Sequence, residues 1–301
     1  MNKKIMITGA AGFIGKHLVR ALRIRGFTGL TLVDPALKEQ EGARTVMSSF
    51  GDLEKMQLIL PGHDVLFHLG AVVGVHTTLS QEDVMRKVNN DETKAFFELA
   101  AQSKIQKIVF TSSSEIYGNS DYIPFSEESH PTPISDYGKY KVEIEQYLKA
   151  LTNAYGVCAT IVRLFNVYGI GQRSEFVINK FVDLAKKGDD LVVNWDGSQT
   201  RCFTYVDDVI GGLIAAMEYQ ETPYEIFNLG SQEETSVLDL AKKIINLTSS
   251  KDSDIVVQNL SKLDRYDIPR RVPDISKASA KLGFVSKVTL AEGLKKILNA
   301  A

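Results

Sequence analysis

Cysteine is scarce in this chain of 301 residues, which holds only Cys158 and Cys202, far apart in sequence. Two such cysteines give neither a disulfide framework nor the ligand spacing of a zinc site. The histidines are also few and form no H-E-x-x-H or similar cluster; they are His17, His63, His68, His76 and His130. We therefore expect no metal, and a reducing, cytoplasmic location.

The sequence also lacks an excess of charge and long hydrophobic runs. Its formal net charge is −2, and no long run of either sign occurs, so we expect neither a nucleic acid nor an anionic membrane as partner. No apolar run reaches the ~18 residues of a membrane-spanning helix. With 44% hydrophobic residues, the chain can form one large or two small globular domains.

Glycines punctuate the first fifteen residues in a way that predicts a phosphate site. The apolar strand 5–8 is followed by Gly9, Gly12 and Gly15, and then by a helix that runs to about Arg25. This strand–turn–helix context directs backbone N–H groups and the positive helix N-terminus at a pyrophosphate. The spacing is G-x-x-G-x-x-G rather than G-x-G-x-x-G, so the usual dinucleotide fingerprint is matched in mechanism and not in letter.

The next segments predict the rest of a dinucleotide site. Asp34 ends a second strand about twenty residues after the glycine turn, where a carboxylate accepts hydrogen bonds from ribose hydroxyls and favours NAD over NADP. The loop at Asp52 and Leu53 could reach the adenine. A fourth strand ends at Leu69-Gly70-Ala71, beside the cofactor, and Asn89 lies in a helical segment 82–102.

The alternation of strands and helices predicts an α/β fold, a Rossmann-type doubly wound parallel sheet with right-handed crossovers. After residue 168 the alternation weakens. We expect an NAD-binding domain over residues 1–168, to which residues 203–228 return. Residues 169–301 are predicted to form a smaller, discontinuous substrate-binding lobe.

Ser113, Tyr137 and Lys141 are the candidates for chemistry. Ser113 follows an apolar strand, and Tyr137 and Lys141 lie at positions i and i+4 of an amphipathic helix, on one face. Oxidation of an alcohol carbon requires a base, and a free tyrosine has a pKa of ~10. An ammonium at ~4 Å can lower that pKa substantially, so we expect Lys141 to activate Tyr137, and Ser113 to hold the substrate oxygen.

Taken in order, the motifs resemble those of the extended short-chain dehydrogenase/reductase superfamily, in its NAD-dependent sugar-nucleotide epimerase/dehydratase branch. The resemblance runs from Thr8 to about Leu294. It rests on T-G-x-x-G-F-I-G at 8–15, Asp34, D-L at 52–53, H-L-G-A at 68–71, S-S at 112–113, Y-x-x-x-K at 137–141, R-x-F-N-V-Y-G at 163–169, R-x-F-x-Y-V-D-D at 201–208 and P-D-I-S-K-A at 273–278.

The resemblance implies a tightly held NAD, a nucleoside-diphosphate sugar as substrate, and a homodimer formed through the helix of Tyr137 and its neighbour. Ser113, Tyr137 and Lys141 match the catalytic positions of the family. The implied cofactor contacts are Gly9, Gly12, Phe13, Ile14, Gly15, Asp34, Asp52, Leu53, Leu69, Gly70, Ala71, Asn89, Tyr137 and Lys141. The implied substrate contacts are Asn166, Arg201 and Arg271.

Glu115 leaves the reaction open. If the strand continues, Glu115 faces the same side as Ser113 and could act on a ketone-activated C5 proton. Ser-Glu-Ile-Tyr-Gly at 114–118 resembles a motif of nucleotide-glucuronate decarboxylases, whereas Ser114 replaces the aspartate of the 4,6-dehydratases. We expect C4 epimerisation, as in a UDP-hexose 4-epimerase. The alternatives are decarboxylation or dehydration with catalytic Glu115, and a non-catalytic NAD-binding regulatory protein on the same fold.

Overall fold

The computed structural model of the protein describes residues 3–73, 82–120, 122–250, 252–258 and 268–300. Its strands are β1 (Ile5–Thr8), β2 (Leu30–Val33), β3 (Arg44–Val46), β4 (Val65–His68), β5 (Lys107–Ser113), β6 (Cys158–Leu164), β7 (Val167–Tyr168), β8 (Leu191–Asn194), β9 (Thr200–Cys202), β10 (Thr204–Tyr205), β11 (Tyr224–Leu229), β12 (Glu234–Ser236) and β13 (Ile255–Gln258).

The helices are α1 (Phe13–Ile24), α2 (Leu53–Ile59), α3 (Glu82–Arg86), α4 (Thr93–Gln102), α5 (Asp136–Tyr155), α6 (Val177–Lys187), α7 (Val206–Glu218), α8 (Val237–Thr248), α9 (Ser276–Leu282) and α10 (Leu290–Asn299). A π-helical segment, Lys87–Glu92, joins α3 to α4, so the predicted helix 82–102 is not regular throughout. A 3₁₀ turn, Ser114–Tyr117, follows β5 directly.

Seven parallel strands form the main sheet in the order β11-β6-β5-β4-β1-β2-β3. Every residue of β1, β2 and β4 is buried, as the continuous apolar runs of a sheet covered on both faces require. The order reverses between β1 and β4, and open α/β sheets bind ligands at the carboxyl ends of their strands beside such a reversal. The predicted fold class is confirmed.

Side chains alternate between two apolar cores, one on each face of the sheet. Ile5 and Ile7 belong to the core that α1 and α7 cover, whereas Met6 belongs to the core that α2, α4 and α5 cover. Successive strand residues point to opposite faces, so one short strand supplies both cores. The result is a rigid base for the loops at the carboxyl edge.

The C-terminal part adds three two-stranded sheets, which pair β10 with β7, β12 with β9 and β13 with β8. Strand β11 lies at the edge of the main sheet although it follows residues of the smaller lobe in sequence. The boundaries of the two domains stay a prediction.

Candidate active site

A cavity of about 690 Å³ opens at the carboxyl edge of the main sheet. Its wall is built from the β1–α1 turn, the ends of β2, β4 and β5, the start of α5, and the segment that follows β6. Most of the residues singled out from sequence are therefore brought together. Those in the cavity wall are Gly9, Gly12, Phe13, Ile14, Gly15, Asp34, Leu69, Gly70, Ala71, Ser113, Glu115, Tyr137, Lys141, Asn166 and Arg271.

The glycine turn is packed so closely that side chains are excluded. Gly9 has φ +72°, and a Cβ atom on it would lie 2.6 Å from the Gly70 nitrogen. A Cβ atom on Gly15 would lie 2.2 Å from the Gly9 carbonyl oxygen. Gly12 is the N-cap residue of α1. It has no side chain that could accept a hydrogen bond from the N–H groups in the first turn of the helix. The turn fits a pyrophosphate.

Asp34 stands at the end of β2 with its carboxylate toward the glycine turn. Its oxygens accept hydrogen bonds from the backbone N–H groups of Ala11, at 3.3 Å, and of Ala36, at 2.9 Å. Both bonds fix the carboxylate in the cavity wall, where ribose hydroxyl donors would meet an acceptor. With the glycine turn, this arrangement fits the adenosine diphosphate part of NAD.

Asn89 does not line the cavity. It contacts the backbone of Val72, which lies between the wall residues Ala71 and Val73. The side chain is buried, and it accepts a hydrogen bond from the Val72 N–H and donates one to the Val72 carbonyl, both at 2.8 Å. This pairing holds the segment that follows Ala71. Asn89 is therefore placed to position the wall of the cavity.

Two further predicted cofactor contacts also lie outside the wall. Asp52 caps α2, accepting hydrogen bonds from the Lys55 N–H and the Ser48 hydroxyl. Leu53 begins that helix and is 37% exposed. His68 is buried among phenylalanine rings and pairs with the Thr8 hydroxyl at 2.8 Å.

Tyr137 and Lys141 lie on the first turns of α5, facing the end of β5. Lys141 is buried and donates a hydrogen bond from Nζ to the Thr111 carbonyl oxygen at 2.8 Å. Its Nζ lies 4.5 Å from the centre of the Phe110 ring and 5.5 Å from that of Tyr137. Ser113, the last residue of β5, lies in the same wall. The predicted set of three is thus assembled at one edge.

The pKa values of this pair run against the simple expectation that Lys141 lowers the pKa of Tyr137. Burial raises the pKa of Tyr137, and the negative charge of Glu115 raises it further. Burial also lowers the pKa of Lys141 to about 7, against which the carboxylate of Glu145 acts. A buried ammonium loses much of its hydration and is charged less readily, so it activates the phenol less than an exposed lysine would.

Glu115 does not follow Ser113 along a continued strand, because the 3₁₀ turn begins at Ser114. The Glu115 N–H instead donates to the Ser113 hydroxyl at 3.2 Å. The Glu115 carboxylate accepts from the Ser135 hydroxyl at 2.6 Å, and Ser135 in turn caps α5 through the Gly138 N–H. The premise for a shared face was wrong, yet both side chains line the cavity.

At the other end of the cavity, Asn166 and Arg271 lie in the wall and Arg201 does not. Asn166 has φ +36° and its carbonyl accepts from the Thr204 N–H at 3.1 Å. Arg201 donates to the carbonyl oxygens of Thr200, at 2.7 Å, and Ile268, at 2.8 Å. Arg201 therefore holds the backbone at Ile268, a few residues before Arg271.

No role was assigned from the sequence to several cavity residues and to one buried cluster, although Ser112, Arg163 and Phe203 stand in motifs named above. Gln172, Arg173, Phe176 and Phe203 line the cavity from segments without a periodic pattern. Ser112, Glu145 and Arg163 form a buried hydrogen-bonded group behind Lys141. Glu145 could have been found, since it follows Lys141 by four residues on the same helix face.

Over the residues that the structure describes, no group of three or more His, Cys, Asp or Glu side chains could hold a metal ion. Within the same ranges, none of the helices combines the length and the apolar character that crossing a bilayer requires.

Known proteins share this architecture over the full chain. The model of the NAD dependent epimerase/dehydratase family matches residues 5–230. A UDP-N-acetyl-alpha-D-glucosaminuronate decarboxylase of Bacillus cytotoxicus is 35% identical, with 99% of this chain and 97% of the relative covered. Among solved structures, UDP-glucose 4-epimerase of Thermotoga maritima with UDP-glucose has a TM-score of 0.90 and 31% identity, covering 98% of this chain and 97% of that one.

A further solved structure contains the cofactor. UDP-glucuronic acid 4-epimerase of Bacillus cereus, in complex with UDP-glucuronic acid and NAD, has a TM-score of 0.89 and 27% identity, and 99% of each chain is covered. The chain described here therefore belongs to the NAD dependent epimerase/dehydratase family, as its motifs indicated, and is an NAD-dependent enzyme that modifies nucleotide sugars.

Proposed function

We propose that this protein binds NAD and interconverts the C4 epimers of a nucleoside-diphosphate sugar through a 4-keto sugar. The observation that carries the proposal is that Ser113, Tyr137 and Lys141 share one cavity with the glycine turn and Asp34. When bound against the glycine turn and Asp34, NAD would supply the hydride acceptor and donor for sugar C4. The chain's own residues handle the proton and hold the sugar.

Tyr137 is the proposed acid–base residue. As a phenolate it takes the proton of the C4 hydroxyl, and as a phenol it returns that proton to the ketone oxygen from the other sugar face. Burial and Glu115 raise the pKa of Tyr137, which favours the phenol that the return step needs. The charged form of Lys141, next to the ring, supports the phenolate that the first step needs.

Ser113 and the far wall supply orientation. We assign to the Ser113 hydroxyl a hydrogen bond to the sugar C4 oxygen, where charge changes during the reaction. Asn166 and Arg271 are assigned to the nucleoside diphosphate, since an arginine can bind phosphate with two parallel hydrogen bonds. Arg201 supports this end through the Ile268 carbonyl. The sugar is then free to present either face at C4.

Epimerisation is preferred because Glu115 has a structural role that needs no chemistry. Its carboxylate binds Ser135, and Ser135 caps the helix of Tyr137 and Lys141. An epimerase needs only the serine, the tyrosine and the lysine, and all three are present in the wall. Dehydration is less well supported, because the buried Ser114 replaces the acid that would assist the departure of water.

Decarboxylation of a nucleotide uronate is the second candidate, favoured by Glu115 in the cavity wall and by the 35% identical decarboxylase. After oxidation at C4, the C5–C6 bond would break and release carbon dioxide, with its electron pair passing into a C4–C5 enolate. C5 then needs a proton, and Glu115 is the side chain of the cavity wall assigned to deliver it. A non-catalytic role is disfavoured, because the three reacting side chains are all present.

The test is product analysis by mass spectrometry and proton NMR, with purified protein and UDP-glucose, UDP-N-acetylglucosamine and UDP-glucuronate in separate reactions. Epimerisation gives an unchanged mass and an inverted C4 signal. Glu115→Gln preserves that rate if Glu115 only holds Ser135. Loss of carbon dioxide in the wild type, abolished in Glu115→Gln, would establish the second candidate and overturn the first.

A further inference from the structure

A buried ion pair lies directly behind the proposed catalytic residues. Arg163 Nη2 contacts Glu145 Oε2 at 2.7 Å, and Arg163 Nε donates to Glu145 Oε1 at 3.1 Å. The Ser112 hydroxyl donates to the same Oε1 at 2.5 Å. Glu145 and Arg163 are each only 3% exposed. One carboxylate thus accepts three hydrogen bonds in the protein interior.

The three partners belong to the three elements that build the catalytic edge. Ser112 and Arg163 face each other in the register of β5 and β6, and Ser113 follows Ser112. Glu145 lies on the buried side of α5, one turn after Lys141. The carboxylate therefore ties the catalytic helix to the last residues of two neighbouring strands.

Stability alone does not explain such a pair. Desolvation of two buried charges offsets most of their attraction, and apolar residues of similar size are often as stable. The planar guanidinium of Arg163 binds the carboxylate of Glu145 in one fixed geometry. We therefore interpret the pair as fixing the position of α5 relative to β6. Its other side is also bonded, because Arg163 Nη1 donates to the Tyr117 hydroxyl at 2.9 Å, and that hydroxyl donates to Asn228 at 2.7 Å.

We propose that Glu145 is a positioning residue of this enzyme: through Ser112 and Arg163 it holds α5 in register on β5 and β6, so that Lys141 and Tyr137 meet the oxygen bound by Ser113. The inference rests on the proposed function for its effect on turnover. Its effect on the placement of Lys141 does not depend on any substrate.

The carboxylate also acts on the charge of Lys141. The ionisable groups around that lysine are Tyr137 and Glu145 on its own helix and His68 on β4. Arg163 lies beyond Glu145, and Glu115 on the 3₁₀ turn acts on Tyr137. Burial lowers the pKa of Lys141 to about 7, and Glu145 opposes this shift. Removal of the carboxylate therefore lowers the pKa of Lys141 further.

The experiment uses a double variant, Glu145→Met with Arg163→Met, because removal of one partner alone would leave a buried charge unpaired. The control is Tyr117→Phe, which removes a hydrogen bond of Arg163 from the side away from α5. For each protein we would measure thermal unfolding, the titration of Lys141 by ¹³C NMR of labelled lysine assigned with Lys141→Met, and the pH dependence of kcat and KM.

The double variant is expected to fold, with kcat lowered by about 10²-fold and KM nearly unchanged. The Lys141 titration and the alkaline limb of kcat both move to lower pH, by less than loss of the carboxylate alone would give, because the positive charge of Arg163 is lost with it. Tyr117→Phe is expected to show the Lys141 titration and the pH dependence of kcat of the wild type. An unmoved titration with kcat within about twofold of the wild type would overturn the proposal, and so would failure of the double variant to fold. A wild type that converts no nucleotide sugar would refute the proposed function, while the titration still decides the placement of Lys141.

Discussion

Lys141 is a charged residue in a place that disfavours charge. Its ammonium is buried between the Thr111 carbonyl, the Phe110 ring and Tyr137, and its pKa falls to about 7. The group can therefore gain or lose its proton near neutral pH. A lysine of this kind is typical of active sites, because a structural lysine is usually placed with its charge in water.

The first prediction is that Lys141 makes the free energy of unfolding depend on pH. The unfolded chain keeps this lysine protonated up to a pKa of about 10.5, whereas the folded chain releases the proton near 7. Between these values the unfolded state binds more protons, so stability rises with pH. Relative to Lys141→Met, the wild type should gain ~2 kcal/mol between about pH 7 and pH 9.

Urea unfolding at a series of pH values measures this difference. Lys149→Met, at an exposed lysine of the same helix, is the control for loss of a lysine side chain. If the free energies of unfolding of the wild type and Lys141→Met change with pH in parallel, Lys141 titrates in the folded protein as it does in the unfolded chain. That result would contradict the prediction.

At the level of elements, the β1–α1 unit depends on its glycines, whereas helix α7 contains a glycine that the packing does not require. Gly15→Ala would place a Cβ atom 2.2 Å from the Gly9 carbonyl oxygen, and that backbone would have to move. Gly211, inside α7, has nothing within 4 Å of the corresponding atom. The two glycines are thus a matched pair on two helices.

The second prediction follows from this contrast. Gly15→Ala should lose about 1–3 kcal/mol of stability through overpacking, and its affinity for NAD should fall because the turn shifts. Gly211→Ala should gain about 0.5–1 kcal/mol, since alanine loses less conformational entropy in a helix. Thermal unfolding and NAD titration by calorimetry measure both. Equal stabilities for the two variants would contradict the close packing of the turn.

The π-helical segment Lys87–Glu92 is the other element with a specific task. It carries Asn89 inward, where the side chain pairs with both backbone groups of Val72. π-Helical turns are rare and occur often at functional sites. Here the extra residue per turn brings an amide to the backbone that follows β4.

The third prediction is that Asn89→Ala weakens NAD binding about tenfold, since two hydrogen bonds worth roughly 1 kcal/mol each hold the wall of the cavity. Asn90→Ala, at the next residue of the same segment, should bind NAD like the wild type. Calorimetric titration compares the three proteins. If both variants bind NAD with the affinity of the wild type, Asn89 has no part in forming the site.

At the scale of the whole molecule, the fold could be predicted because it is encoded locally. The bounds of β1, β2 and β6 follow directly from short apolar runs, and the glycine turn follows from its spacing. Ser113 could be found because it follows an apolar run that predicts a buried strand. Tyr137 and Lys141 could be found because residues at i and i+4 share one face of a helix. They lie in one cavity wall because the end of β5 and the start of α5 are at the same edge of the parallel sheet.

What could not be predicted depends on packing between distant segments. The 3₁₀ turn after Ser113 is held by contacts of Glu115 with Ser135, twenty residues away. The raised pKa of Tyr137 depends on burial, which no local pattern reports. Arg201 and Asp52 match motif positions, but backbone contacts engage their side chains outside the cavity wall. The homodimer and the cytoplasmic location stay predictions.

In the proposed reaction the C4–H bond of a nucleotide sugar is broken at this edge of the sheet, with Tyr137 as the base. The most direct test is turnover of a nucleotide sugar carrying deuterium at C4, by the wild type, Tyr137→Phe and Tyr140→Phe. Tyr140 is a second tyrosine of α5 and lies outside the cavity wall. We expect a slower wild-type reaction with the deuterated sugar, and product that keeps deuterium at C4. Tyr137→Phe should lose about 10²–10⁴-fold in rate, whereas Tyr140→Phe should react at the wild-type rate. Unchanged turnover in Tyr137→Phe, or an equal loss in both variants, would show that Tyr137 is not the base.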